Sequence, residues 1–190
     1  MSLSHSSISL SMGKIKLNTM KTYSGVGSRE TPRQWLSAMT RVAGKLEDAD
    51  YVLRSGGADG ADKAFQDGVT TRMMEIYIPW NGFNNISEEE DCVIAGACAQ
   101  ALQMAESIHP AWERCSRGVR ALHARNCYQV LGHDLQSPSD MLLCWTPGGL
   151  DVGGTATAIR LARSHDIPVY NFGDKAQVNA FHKKFAQILV

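Results

Sequence analysis

Residues 51–62 read Tyr-Val-Leu-Arg-Ser-Gly-Gly-Ala-Asp-Gly-Ala-Asp, and this stretch decides the fold class. Its first residues are β-prone, and they run directly into the glycine turn Ser55-Gly56-Gly57. The segment from about 59 to 67 favours a helix, with Asp59 as its expected cap. A strand that passes through a glycine turn into a helix is a typical unit of a parallel sheet.

The same alternation continues on both sides of this stretch. β-prone or apolar segments predict further strands at 21–28, 73–78, 140–145 and 168–171. Helices are predicted at 32–46, with Thr31 as cap, and at 87–108, 110–132, 155–164 and 176–189. The pattern therefore predicts an α/β fold with a mostly parallel sheet and helices on both faces.

Composition limits the classes of protein that this chain can represent. It has 190 residues, 44% of them hydrophobic, with 19 Lys and Arg against 19 Asp and Glu. We expect a serine-rich arm at 1–20 and one folded domain at 21–190. Zero net charge argues against coating of nucleic acid or membranes through bulk charge. The chain lacks a long apolar run and a secretory signal, and its five cysteines form no CxxC pair, so we expect a cytoplasmic protein with reduced, mostly buried thiols and no membrane partner.

Three strand ends carry glycine turns that could hold a phosphate. These turns are Gly27-Ser28-Arg29, Ser55-Gly56-Gly57 and Gly153-Gly154-Thr155. In an open parallel sheet, ligands bind outside the carboxyl ends of the strands, and a following helix adds positive charge at its N-terminus. The alternative is that glycine serves the geometry of the turn alone. The usual dinucleotide fingerprint and the P-loop motif are missing, which argues against both of those folds.

Four of these motifs, taken in order, resemble the SLOG superfamily. They are Gly27-Ser28-Arg29, residues 55–62 with Ala64, Arg125-Asn126, and residues 153–158 followed by 167–169. The superfamily includes DNA-processing protein A, the YpsA-like proteins and the "lonely guy" phosphoribohydrolases, and the similarity spans residues 21–173. It implies a Rossmann-like sheet whose glycine loops bind a nucleotide, a nucleotide derivative or single-stranded DNA, in a homo-oligomer.

The motifs are more similar to the first two of these groups than to the phosphoribohydrolases. In the latter a catalytic glutamate follows the glycine loop, whereas the predicted helix after Thr155 holds Thr157 and no glutamate. Ligand binding for sensing, sequestration or hydrolysis of a glycosidic or phosphate bond therefore stays open. In a hydrolase, Asp62 or Asp151 would activate water, and Arg29 or Arg125 would neutralise charge.

Two further readings of the sequence stay open. The first is a single-stranded DNA-binding protein that uses the same loops and the arginine face of helix 110–132, and the second is a structural subunit with a vestigial pocket. The zero net charge would arise because the acidic charge of the predicted helix at 87–108 cancels the positive charge of the arginine-rich helix at 110–132. Asp59 and Asp62 can each be ligand contacts or ordinary first-turn carboxylates. The scattered histidines show no ligand spacing, so neither a metal site nor a cofactor is predicted.

Overall fold

The computed structural model describes residues 20–189, so the arm predicted at 1–20 lies outside the described residues except for Met20. The strands and helices of this part of the chain are, in order, β1 (Lys21–Gly25), α1 (Arg33–Glu47), β2 (Tyr51–Ser55), α2 (Ala61–Gln66), β3 (Met74–Ile78), β4 (Val93–Ala95), α3 (Ala99–Ile108), α4 (Arg117–Leu131), β5 (Met141–Cys144), α5 (Thr155–Ser164), β6 (Val169–Asn171) and α6 (Lys175–Lys184). Within these residues, no helix is long and apolar enough to cross a membrane.

The six strands form one sheet in the order β4-β3-β2-β1-β5-β6. Every pair is parallel, and Tyr23 in β1 lies opposite Leu53 in β2 and Met141 in β5. The prediction of a Rossmann-like α/β fold is confirmed, with a sheet that is parallel throughout. The strand order reverses between β1 and β5, and a crevice opens at the carboxyl ends of strands at such a point.

Helices cover both faces of the sheet, as predicted. On one face α1, α2 and α6 pack against Leu143 and the other side chains that point to that side. On the opposite face α3, α4 and α5 pack around Leu142. All four residues of β5 are buried, because alternate side chains of a central parallel strand enter different cores.

The predicted helix at 87–108 is wrong over its first half. Residues 93–95 form the edge strand β4, and α3 begins only at Ala99. Between them Gly96 adopts a φ of +89°, which a helix does not contain. The glutamates at 88–90 lie in the loop before β4, where Ser87 and Glu90 exchange local hydrogen bonds, so the acidic helix does not exist. The helix predicted at 110–132 is likewise shorter, since α4 begins at Arg117.

Two predicted helix caps are also wrong. α1 begins after Pro32, and the Thr31 hydroxyl donates to the carbonyl of Ser28 instead of accepting a hydrogen bond from a helix N–H. α2 is preceded by Gly60, whose φ of +80° favours glycine there and leaves Asp59 outside the cap position.

The cysteines are only partly as expected. All five are free thiols, and Cys127 and Cys144 are buried. Cys98 is exposed, while Cys92 and Cys115 are half-buried, so the prediction of mostly buried thiols is wrong. The two buried thiols lie on the core faces of α4 and β5, whereas the other three lie in connections around β4 and α3.

Candidate functional site

A cleft of about 560 Å³ lies at the carboxyl ends of β1 and β5, where the strand order reverses. The loop after β1, the middle of α4 and the N-terminus of α5 form its walls. Nine of the predicted site residues line it, namely Gly27, Ser28, Arg29, Asp62, Arg125, Asn126, Gly153, Gly154 and Thr155.

Two neighbouring residues of α4 connect separate walls of the cleft. Arg125 Nη1 donates to Asp62 Oδ2 at 3.1 Å, which joins α4 to α2. Asn126 Nδ2 donates to the carbonyl oxygen of Gly154 at 2.9 Å, which joins α4 to α5. The Arg-Asn pair that the sequence singled out therefore positions two of the loops around the cleft.

The Arg125–Asp62 ion pair is buried. Only 8% of the arginine side chain and 4% of the aspartate side chain are exposed. Burial raises the pKa of Asp62, and the Arg125 guanidinium and the backbone N–H groups of Ala58 and Gly27 oppose that rise. Burial likewise lowers the pKa of Arg125, against the pull of the carboxylate. The Asp62 carboxylate thus has three donors within the fold, and it fixes the loop after β1 relative to α4.

The glycines at the site are there for different reasons. A Cβ on Gly27 would lie 2.6 Å from the Cβ of Ala61, and one on Gly56 would lie 1.4 Å from Arg125 Nη1. Packing inside the fold thus accounts for both of these glycines. Gly153 has a φ of +67°, which itself favours glycine. Gly154 has neither reason, because its φ of −63° and ψ of −28° suit any residue and no heavy atom beyond its chain neighbours lies within 4 Å of a Cβ built there.

The two cleft loops also differ in how far the fold supplies acceptors for their backbone N–H groups. In the loop after β1, the Ser28 N–H donates to the Trp145 carbonyl and the Glu30 N–H donates to the Ser28 hydroxyl. The N-terminus of α5 has no side-chain cap; Gly154 is its N-cap residue, and the Ala156 N–H donates to the Gly153 carbonyl at 3.2 Å. The first N–H groups of an uncapped helix seek an outside acceptor, and they attract anions.

Among the cleft residues that were not predicted from the sequence are two polar residues of α4, Gln129 and His123. Gln129 is 1% exposed, and neither its Oε1 nor its Nε2 has a hydrogen-bond partner within residues 20–189. The Nε of Arg125, one turn earlier on α4, is also buried without a hydrogen-bond partner within these residues. His123 contacts the Thr157 hydroxyl at 2.9 Å, and burial, together with His109 and Arg125, lowers its pKa to about 4. The sequence did offer a signal for both residues: His123 is three residues before Asn126 and Gln129 is four residues after Arg125, so a helix places them on the same side.

The remaining predicted site residues lie outside the cleft lining, and they are Ser55, Gly56, Gly57, Asp59 and Asp151. The Ser55 hydroxyl donates to the Gly25 carbonyl at 3.1 Å, inside the sheet. Gly57 lies against Ile86 and Ile78 beneath the next loop. Asp59 is exposed and borders a different cavity. The Asp151 carboxylate forms an ion pair with Arg163.

The two arginines of α4 that precede Arg125, Arg117 and Arg120, do not line the cleft. Arg120 lies over the ring of Trp112 with its guanidinium carbon 5.3 Å from the ring centre. Arg117 borders a separate cavity beside Trp80. Arg29 is exposed at the mouth of the cleft and is therefore the accessible cation of this group.

Comparison with solved structures supports the fold. DNA processing protein A from Helicobacter pylori, described for its single-stranded DNA binding mode, is similar over 87% of this chain and 73% of that chain, with a TM-score of 0.54 and 17% identity. The Moco carrier protein from Chlamydomonas rheinhardtii is similar over 90% and 87%, with a TM-score of 0.48 and 16% identity. No protein-family profile and no curated protein matches the sequence. The molecule is therefore a Rossmann-like α/β protein that has the fold of DNA processing protein A, with a cleft at the carboxyl edge of its sheet.

Proposed function

We propose that this chain binds a nucleotide or a nucleotide-derived ligand in the cleft, with a phosphate on the N-terminus of α5. The observation that carries the proposal is Gly154, a glycine that the fold itself does not need. A missing side chain beside an uncapped helix N-terminus leaves room for a phosphate oxygen to approach the backbone N–H groups. Neither packing nor a positive φ explains the residue, and a ligand at this place would explain it beyond the mild preference for glycine at an N-cap.

The rest of the cleft fits the other parts of such a ligand. Its volume of about 560 Å³ lies within the usual range for small-molecule sites. The unpartnered amide of Gln129 offers both a donor and an acceptor, as a base or a sugar edge requires. Arg29 at the mouth would pair with phosphate charge. Apolar side chains, including Val26 and Leu122, would contact the base.

We propose binding for sensing or sequestration in preference to hydrolysis with Asp62 or Asp151 as the base. Asp62 is engaged by three donors, and Asp151 is paired with Arg163 outside the cleft. A general base needs a free carboxylate within reach of the attacked bond or of its water. The predicted membership of the SLOG superfamily belongs to the same proposal, because the Arg125-Asn126 pair of that resemblance holds the walls of this cleft. The homo-oligomer that the resemblance implies is proposed with it.

Thermal unfolding with a panel of nucleotides, and with the matching nucleosides, tests the proposal. A ligand at about 100 times its Kd stabilises the folded state by about 2.7 kcal/mol. For a chain of this length, that corresponds to a rise in Tm of roughly 5–10 °C. We expect this rise with phosphorylated ligands and a smaller one with nucleosides.

Gly154→Ala separates the phosphate site from the fold. The added methyl group has room in the free protein but would occupy the approach of the phosphate. We therefore expect a stability loss of no more than about 1 kcal/mol, from the poorer N-cap preference of alanine, and at least about tenfold weaker binding. Gly118→Ala is the matched control, because Gly118 lies in α4 outside the cleft lining. Equal binding by Gly154→Ala and the wild-type chain would overturn the proposal.

Single-stranded DNA is the second candidate ligand. It is favoured by the fold shared with DNA processing protein A from Helicobacter pylori, whose single-stranded DNA binding mode has been described. The zero net charge of the chain argues for a small ligand instead. A labelled oligonucleotide that binds at moderate salt, together with a Tm that no nucleotide raises, would decide for DNA.

A further inference from the structure

Beside the cleft, His109, Cys115 and His123 lie close together. His109 directly follows α3, Cys115 precedes α4, and His123 lies within α4. Each can offer one ligand atom, and the three ligand atoms all lie within 4.8 Å of one another. The sequence predicted no metal site, because spacings of six and eight residues match no common ligand motif. The connection between the two helices folds back and brings the three residues together.

We propose that these three residues bind a divalent transition-metal ion of the zinc class. Two imidazoles and one thiolate form a mixed nitrogen and sulfur donor set, which suits zinc rather than magnesium or calcium. Three protein ligands would leave a fourth position for water or another ligand. On binding, Cys115 would transfer its thiol proton to solvent and coordinate as the thiolate.

The distances in the cluster are near those that a tetrahedral ion requires. Cys115 Sγ lies 3.8 Å from Nδ1 and 3.9 Å from Nε2 of His109, and the two imidazole centres are 4.4 Å apart. Zinc bonds of about 2.0–2.1 Å to nitrogen and about 2.3 Å to sulfur place tetrahedral ligand atoms roughly 3.3–3.6 Å apart. Small side-chain movements would therefore close the site around an ion.

The surroundings of the two rings also suit metal ligands. His123 Nδ1 contacts the Thr157 hydroxyl at 2.9 Å, and an Nδ1–H that donates to this oxygen leaves the lone pair of Nε2 for a metal. His109 Nδ1 accepts a 3.2 Å hydrogen bond from the Ala111 N–H, so the lone pair of this ring lies on Nδ1, which is 3.8 Å from Cys115 Sγ. A metal ion would replace this long hydrogen bond.

The position of His123 connects the proposed metal site to the rest of the molecule. His123 also lines the cleft, so a bound ion would lie one side chain away from any ligand held there. The proposal does not require a nucleotide, because all three ligand residues belong to this chain. Metal binding and nucleotide binding can therefore fail independently.

Cobalt titration of the full chain, after removal of metals with a chelator, tests the proposal without nucleotide. One equivalent of Co²⁺ is expected to give a thiolate-to-cobalt charge-transfer band and the visible bands of tetrahedral cobalt, and Zn²⁺ is expected to displace them. Cys115→Ser should abolish the charge-transfer band and weaken Zn²⁺ binding by at least about 100-fold, since changes outside the ligand shell already cost 10–100-fold.

Cys98→Ser is the matched control, because Cys98 is exposed and lies at the start of α3 outside the cluster. It should keep both the band and the affinity. His109→Asn provides a second variant in case Cys115→Ser fails to fold, which circular dichroism would show, and it should also lose the tetrahedral bands. A wild-type chain without these bands, or the same band in Cys115→Ser, would overturn the proposal.

Discussion

Replacement of Arg125 by methionine is expected to destabilise the fold by about 3–5 kcal/mol. Methionine keeps much of the apolar stem but removes the cation that faces Asp62 Oδ2 at 3.1 Å. The carboxylate would then remain buried with only the backbone donors of Ala58 and Gly27. Breaking a buried pair by removing one partner costs about 3–5 kcal/mol. For a chain of this length the loss corresponds to a fall in Tm of roughly 6–20 °C.

The loss of folding stability in Arg125→Met should also depend on pH. Burial already raises the pKa of Asp62, and removal of the arginine that opposes this rise would raise it further. A carboxyl group whose folded pKa is raised binds a proton more readily in the folded than in the unfolded state. The penalty in Arg125→Met is therefore expected to be smaller at pH 5 and to grow as the pH rises towards 8.

Urea unfolding at pH 5 and pH 8, followed by circular dichroism, provides the measurement. The double variant Asp62→Asn with Arg125→Met removes both charges, and it should recover a large part of the loss because no uncompensated buried charge remains. A loss below about 1 kcal/mol for Arg125→Met would match an exposed ion pair, and it would refute the reasoning. A double variant no more stable than the single one would refute it as well.

Three smaller predictions concern other parts of the fold. The pKa of Glu47 is lowered to about 2, because burial, which raises it, is outweighed by hydrogen bonds from two threonine residues. The stability that the Glu47 carboxylate contributes should therefore be lost as the pH falls from about 4.5 towards 2. Glu47→Gln should remove this part of the acid sensitivity, as Tm measured from pH 2 to pH 6 would show. Gly56→Ala would place a methyl group 1.4 Å from Arg125 Nη1, so we expect about 1–3 kcal/mol of destabilisation in urea unfolding, whereas a cost near zero would contradict this packing. Asp151→Ala removes a partly exposed ion pair with Arg163 and should cost less than about 1 kcal/mol, and a lost nucleotide response in this variant would place Asp151 in the site after all.

The sheet could be predicted from the sequence with one exception. Each of β1, β2, β3, β5 and β6 coincides with a β-prone or apolar run that ends at a turn. β4 was missed because it has three residues and follows a run of glutamates without a strand period. Its place in the sheet comes from pairing with β3, which is a tertiary interaction that local sequence does not encode.

The sequence could predict which loops form the site but not which side chains pair within it. Parallel strands bring their carboxyl ends to one edge, so the positions of Gly27 and Gly154 beside the cleft follow from the strand pattern. The pairing of Arg125 with Asp62 joins residues 63 positions apart, and it depends on how α4 is rotated against α2. The same rotation decides that Gln129 faces the cleft, and the sequence does not define it.

Gly154 also offers a way to follow this protein through its evolution. A Cβ at this position would meet no neighbouring group, so packing alone would not keep glycine there. Gly56 and the Arg125–Asp62 pair, in contrast, are required by packing whether or not a ligand binds. Under the proposed function, a related chain that keeps the latter residues but has lost the glycine at 154 would be a lineage that retained the scaffold without the phosphate site.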